Sequence, residues 1–264
     1  MIHSRRALLP EGWVRDLRMS VAGGRIAGLA SGAAAEPGDI RVDMLLPAIP
    51  NLHSHTFQRA MAGLTEHRVQ GRESFWTWRE VMYRFLDRLT PEDIQVIAAQ
   101  AFVEMLEAGF ASVAEFHYVH HQPGGAAYAD PAELSARIIA AASVAGIGLT
   151  HLPVLYSYGG AAMLPLAGGQ LRFGNDVDSF ARLLDAVRGH GSDMPADTVV
   201  GIAPHSLRAT SPDDLGRALP LANGGPVHIH IAEQPAEVEA ISGWLGARPV
   251  EWLLANAPVG RDWC

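Results

Sequence analysis

From Leu46 to the last residue, extended apolar runs alternate with segments that open on a helix-start signal, and this rhythm narrows the possible folds more than any other feature of the chain. Thr90-Pro91-Glu92-Asp93 places an N-cap, a proline at the first helical position and two acids in the first turn, where they satisfy backbone N–H groups and complement the helix dipole. Asp130-Pro131-Ala132-Glu133 and Ser211-Pro212-Asp213-Asp214 repeat the signal. The apolar run into His53 and residues 111–116, 149–155, 198–203 and 226–231 read as strands. These make five strand-then-helix units, and residues 261–264 stand where a sixth strand would begin. Such units build a parallel α/β sheet, either open and doubly wound or closed as a (β/α)8 TIM-type barrel. No Gly-x-Gly-x-x-Gly follows the first strand and no Gly-x4-Gly-Lys exists, so the barrel is the expectation. Eight units need about 250 residues by themselves. The sequence therefore reads as about five of the eight units, the N-terminal portion of a longer protein.

Ahead of this region, residues 14–22 and 25–29 flank Gly23-Gly24 as a hairpin, and residues 40–46 form another extended run. Residues 1–46 are expected to be part of a small β-sandwich domain, and residues 47–264 the barrel portion. A net charge of -8 without a basic cluster argues against nucleic acid and anionic membranes as partners. Residues 1–12 lack the apolar core of a signal peptide, and the longest apolar window, residues 138–149, is too short to span a bilayer. The one cysteine, Cys264, leaves no internal disulfide, which fits a reducing cytoplasm.

In a parallel barrel the chemistry gathers where the strands end at their C-terminal edge, and polar residues crowd there. Strand one ends in His53-Ser54-His55 and then Gln58, strand two in Glu115-Phe116-His117-Tyr118, strand four in Pro204-His205 followed by Arg208, and strand five in His228-Ile229-His230 followed by Glu233. Strand three, ending at Tyr156 and Tyr158, is less telling. Side chains two apart on a strand share a face, so His53 and His55 can reach one ion. His230 is the better third ligand, and His228 reads as a packed imidazole. Three neutral imidazoles with an open position suit Zn²⁺, which brings the pKa of a bound water towards neutrality. Glu233 could carry the water proton, or simply be an acid at a helix start. All 20 basic residues are arginine, so neither a lysine Schiff base nor a lysine-bridged metal pair is available. His117, His120 and His121 read as a solvated loop rather than a second metal cluster, and Phe75-Trp76-Thr77-Trp78 as a packed lid or core stripe.

The runs Leu46–Gln58, Pro204–Arg208 and His228–Gln234 resemble the amidohydrolase superfamily, and within it the deiminases acting on N-formimino-L-glutamate in histidine degradation. His-x-His and His-x-x-Glu specify only the superfamily. Residues 74–79, Phe57-Gln58, Phe116-His117-Tyr118 and Pro204–Arg208 are more specific to the deiminases. The resemblance implies one zinc held by His53, His55 and His230 and completed by a strand-eight aspartate, with Glu233 as proton shuttle assisted by a strand-six histidine. Both completing residues would lie beyond Cys264. It further implies that Arg79 and Arg208 hold the carboxylates of a small dicarboxylate substrate, with Gln58, Tyr118 and His205 adding hydrogen bonds, in a protein that is a homodimer when full length. Two alternatives stay open: deamination of a heterocyclic amine such as guanine or an adenosine derivative, and a truncated, non-catalytic binding protein.

Overall fold

The computed structural model describes residues 1–64, 75–191 and 194–264, with only the backbone for residues 75–77. It divides into a unit of residues 1–49 and a unit of residues 50–264.

The first unit is a four-stranded sheet of β1 (Ile2–Leu9), β2 (Gly12–Ala22), β3 (Arg25–Ala30) and β4 (Ile40–Leu45) in the order β3-β2-β1-β4. β2 runs antiparallel to both β1 and β3, whereas β4 joins β1 in parallel. The hairpin at Gly23-Gly24 and the run from Ile40 match the expected strands. β1 does not: Arg5 and Arg6 mask its apolar content, yet it is the strand on which β2 and β4 both pair. Among the described residues this unit holds one sheet. Arg18 clasps the carboxylate of Asp39 at 2.8 and 3.0 Å, tying the loop before β4 to β2.

The second unit starts with β5 (Ile49–Ser54), which opens a sheet in the order β5-β6-β7-β8, with β9 also on β7. β6 (Phe110–His117), β7 (Gly148–Leu155), β8 (Val199–Val200) and β9 (Ala203–Pro204) pair in parallel. Parallel bridges then run from Ile202 to Val227 and from Val227 to Trp263, so residues 261–264 occupy the position expected of a sixth strand. No pairing among the described residues returns from Trp263 to β5. The fourth expected strand is broken into β8 and β9 at Gly201, where a Cβ would stand 2.3 Å from the Pro226 carbonyl oxygen. Only glycine permits that approach.

Helices connect the strands. α1 (Phe75–Leu86) and α2 (Pro91–Glu107) precede β6, α3 (Glu133–Ala145) precedes β7, α4 (Val177–Gly189) precedes β8, and α5 (Pro212–Ala218), α6 (Pro235–Leu245) and α7 (Pro249–Asn256) follow β9. Thr90 and Asp93 form a reciprocal capping box at the start of α2, and Ser211 caps α5. The expected Asp130 cap differs: its carboxylate accepts from Ala132 N at 2.8 Å, shaping a turn, and α3 begins only at Glu133. On α4, Val177, Phe180, Leu183, Leu184 and Val187 are buried, the three-to-four spacing of a helix with one face on a core. They meet Ile138, Leu149, Leu152 and Val154 in one cluster. Burying side chains of this size contributes about 1.5–3 kcal/mol each. Buried Arg172 donates to the carbonyls of Leu86, Leu89 and His121 and so fixes the end of α1, the helix that carries Arg79. No helix among the described residues is long and apolar enough to cross a membrane.

Candidate metal centre

β5 ends at Ser54, and His53 and His55 leave it towards the same space, their ring centroids 4.6 Å apart. His230 enters from the extended segment beyond Val227, and its Nε2 lies 3.2 Å from Nε2 of His53. One ring nitrogen from each of His53, His55 and His230 falls within 4.8 Å of the others. His228 is not in this group; burial lowers its pKa, as expected of a packed imidazole.

Two features make the three rings suitable ligands for a divalent cation. His55 Nδ1 is 2.9 Å from the Phe116 carbonyl oxygen, which can only accept, so Nδ1 carries the proton and Nε2 keeps its lone pair. Phe116 also stacks on one face of the His230 ring, with centroids 4.2 Å apart. The rings are neutral besides. Burial, followed by the neighbouring imidazoles, depresses His55 to about 3 and His230 to about 2, and burial lowers His53. A neutral imidazole is the form that binds metal.

A cavity of about 230 Å³ opens beside these rings and gathers most of the expected polar residues. Gln58, Tyr118, His205, Arg208 and Glu233 line it together with Arg79. Gln58 Nε2 donates to Tyr118 Oη at 2.9 Å. Burial, opposed in part by the Gln58 bond, raises the Tyr118 phenol and keeps it protonated. His205, whose Nδ1 is 3.0 Å from Ser206 Oγ, sits edge-on to His230 at 5.1 Å between centroids. Arg208 donates to Glu233 Oε2 at 2.9 Å and lies 3.4 Å from Glu237 Oε1, while the backbone N–H of Glu233 donates to Glu237 Oε2 at 2.9 Å. Burial raises the Glu233 pKa against the pull of Arg208.

The cavity also uses residues that the sequence does not assign to the site, among them Trp78, expected only as part of a packed lid or core stripe, and Tyr156, expected only at a less telling strand end. Trp78, Met82 and Tyr83 come from α1, Tyr156 from the residue just after β7, and Phe173 from the loop before α4. Tyr83 and Tyr156 both accept from Arg79, and burial pushes the Tyr83 phenol up to about 12. Tyr83 follows Arg79 by one helical turn, a spacing that could have pointed to it. Ser74 and the side chains of Phe75, Trp76 and Thr77 lie outside the described residues.

One expectation is overturned. His117 and His120 are not on a solvated loop: they are 3% and 2% exposed. His117 packs on His151 and His120 at 5.3 and 5.4 Å between ring centroids. Alternation explains it, since Phe116 and Tyr118 face the first three imidazoles and His117, between them on the chain, turns the other way.

A family model described as "Amidohydrolase family" matches residues 44–255, and one described as "Formimidoylglutamate deiminase HutF, N-terminal domain" matches residues 1–43. The chain belongs to the amidohydrolase family. Its relatives include formimidoylglutamate deiminase of Pseudomonas aeruginosa, 50% identical over 100% of this chain and 58% of the relative. A 5-methylthioadenosine/S-adenosylhomocysteine deaminase of Natronomonas pharaonis is 27% identical over 94% of this chain and 52% of its own length. Among solved structures, an amidohydrolase from Brucella melitensis superposes with a TM-score of 0.96 at 47% identity, covering 100% of this chain and 58% of that one. The chain thus spans little more than half the length of the relatives it matches.

Proposed function

We propose that the full-length protein is a metal-dependent hydrolase that converts N-formimino-L-glutamate and water to N-formyl-L-glutamate and ammonia, a step in histidine degradation. The observation that carries this reading is that two guanidinium groups, Arg79 and Arg208, line the same cavity as His55, His230 and Glu233. Two guanidinium forks suit a substrate with two carboxylates, because each can bind one bidentately. A neutral purine amine would have no use for both. The 50% identity to a formimidoylglutamate deiminase points the same way.

His53, His55 and His230 would hold Zn²⁺, a cation that three neutral imidazole nitrogens with an open position suit. When bound it would supply Lewis-acid polarisation and activation of water. Around it the chain's own residues divide the work. Arg79 and Arg208 take the carboxylates, while Gln58, Tyr118 and His205 add hydrogen bonds. Glu233 accepts a proton from the attacking water at a carboxylate oxygen and returns it to the nitrogen that leaves as ammonia. Its raised pKa suits both halves of that transfer. We also infer that the parallel sheet is the first part of a closed (β/α)8 barrel and the N-terminal sheet part of a β-sandwich. Strand pairing that proceeds in one direction from β5 to Trp263 supports the barrel.

The test is ammonia release by the full-length protein from N-formimino-L-glutamate, compared with guanine and adenosine. Turnover of the first, with KM raised roughly 100-fold or more by Arg79→Met or Arg208→Met, is expected. Turnover of a purine that is indifferent to both substitutions would refute the proposal.

A further inference from the structure

Tyr156 directly follows β7, is 2% exposed, and places its phenol on the cavity wall between Arg79 and the His205 ring. Arg79 Nη2 donates to the Tyr156 oxygen at 3.1 Å, and Gln170 Nε2 donates to it at 3.2 Å. The direction of both bonds is fixed by chemistry. A guanidinium has no acceptor. The Gln170 amide cannot be turned round, because its Oε1 accepts from Ala167 N at 3.1 Å and its Nε2 also donates to the Gly159 carbonyl at 3.0 Å. A phenol oxygen has two lone pairs and one proton, so with both lone pairs engaged the capacity left to it is that of an O–H donor, on a side chain that lines the cavity.

We infer that Tyr156 is a substrate-binding residue whose hydroxyl donates to a carboxylate of the bound ligand, beside Arg79 and Arg208. The inference deepens the proposed function and rests on it for the identity of the dicarboxylate. It gives the phenol a second part, since the same oxygen orients Arg79. A hydroxyl with one proton to donate and no spare lone pair favours an anionic acceptor over an ammonium or amide donor. That selects dicarboxylates against amidated or aminated analogues of the same length.

The experiment uses the full-length, metal-loaded protein and measures glutarate binding by titration calorimetry beside turnover of N-formimino-L-glutamate. Tyr156→Phe keeps the ring and is expected to weaken glutarate and raise KM by roughly 10- to 100-fold, with kcat far less affected. In an Arg79→Met background Tyr156→Phe should still weaken glutarate, because the hydroxyl acts directly. Loss of the effect in that background would reduce Tyr156 to a support for Arg79 and overturn the inference. A crystal structure of the unmutated protein with glutarate gives a readout independent of any variant. A carboxylate oxygen within hydrogen-bonding distance of Tyr156 Oη is expected, and a carboxylate held by the arginines alone would overturn it. Unchanged KM and glutarate affinity in Tyr156→Phe, with normal deimination, would sink the inference and leave the reaction standing. Weakened glutarate without any deimination would do the reverse.

Discussion

Two trios of histidines lie close together in the second unit and differ in what their surroundings allow. His53, His55 and His230 bring one nitrogen each within 4.8 Å at the edge of a cavity. His117, His120 and His151 are buried, and His117 Nε2, His120 Nδ1 and both nitrogens of His151 have no hydrogen-bond partner among the described residues. Burial holds all six imidazoles neutral. The same desolvation that readies the first trio for a cation makes the second a stability liability. Convergence on shared space beside a cavity, rather than histidine count or pKa, separates the proposed ligand set from a packed layer.

Glu233→Gln should break the activity side of this comparison with the largest effect. Removing the proposed proton carrier is expected to lower kcat of the full-length protein by roughly 10²–10⁴-fold in ammonia-release assays. Either buried replacement His117→Asn or His151→Leu should leave kcat within a few fold once the protein is folded, since neither side chain lines the cavity.

The next effect concerns Glu115, the register neighbour of His151. Its Oε1 accepts from Thr56 N and Oγ1 at 2.9 and 2.8 Å, its Oε2 has no partner among the described residues, and burial raises it to about 7. The folded protein therefore keeps this proton at pH values where the unfolded chain, with an ordinary carboxyl, has lost it. Stability falls as pH rises from about 4.5 to about 7 and then levels off. Glu115→Gln keeps the acceptor for Thr56 and removes the penalty, so it should stabilise on the order of 2–3 kcal/mol at pH 8 and much less at pH 4 in denaturant titrations.

The buried histidines slope the other way. With folded pKa values depressed, for His151 to about 3, they stay neutral while an unfolded imidazole takes a proton below about 6.5. Stability is complete above that pH and is lost on acidification, by about 1.4 kcal/mol per pH unit for each such group. His151→Leu should remove one group's share of that slope between pH 6.5 and 5, a difference of about 2 kcal/mol at pH 5. An unaltered slope would show that His151 titrates normally in the folded protein.

How much of this was legible in the sequence follows from range. His53 and His55 could be placed together because a strand repeats every two residues, and His230 and Glu233 because strands in register end at one edge. Arg208 followed from its position just after such an end. Tyr83 and Tyr156 come from a helix face and from the residue just past a different strand, so only the folded chain shows that both accept from Arg79. Phe173 reaches the cavity from a loop whose path depends on buried Arg172, and no local pattern announces that. His117 and His120 were misread because polar residues at a strand end suggest a solvated rim. Burying them requires the helices to cover the sheet, a tertiary fact. β1 was missed for the corresponding reason, its arginines hiding a strand that two neighbours hold in place.

The central claim is that the first trio, and not the second, is the metal centre. Metal content per chain, measured by elemental analysis on the full-length protein and on His55→Ala, His230→Ala, His117→Asn and His151→Leu variants, tests it most directly. About one zinc per chain is expected in the unmutated protein and in the His117 and His151 variants, with loss in the His55 and His230 variants. Zinc retained without His55 or His230, or lost on replacing His117 or His151 in a folded protein, would contradict the account.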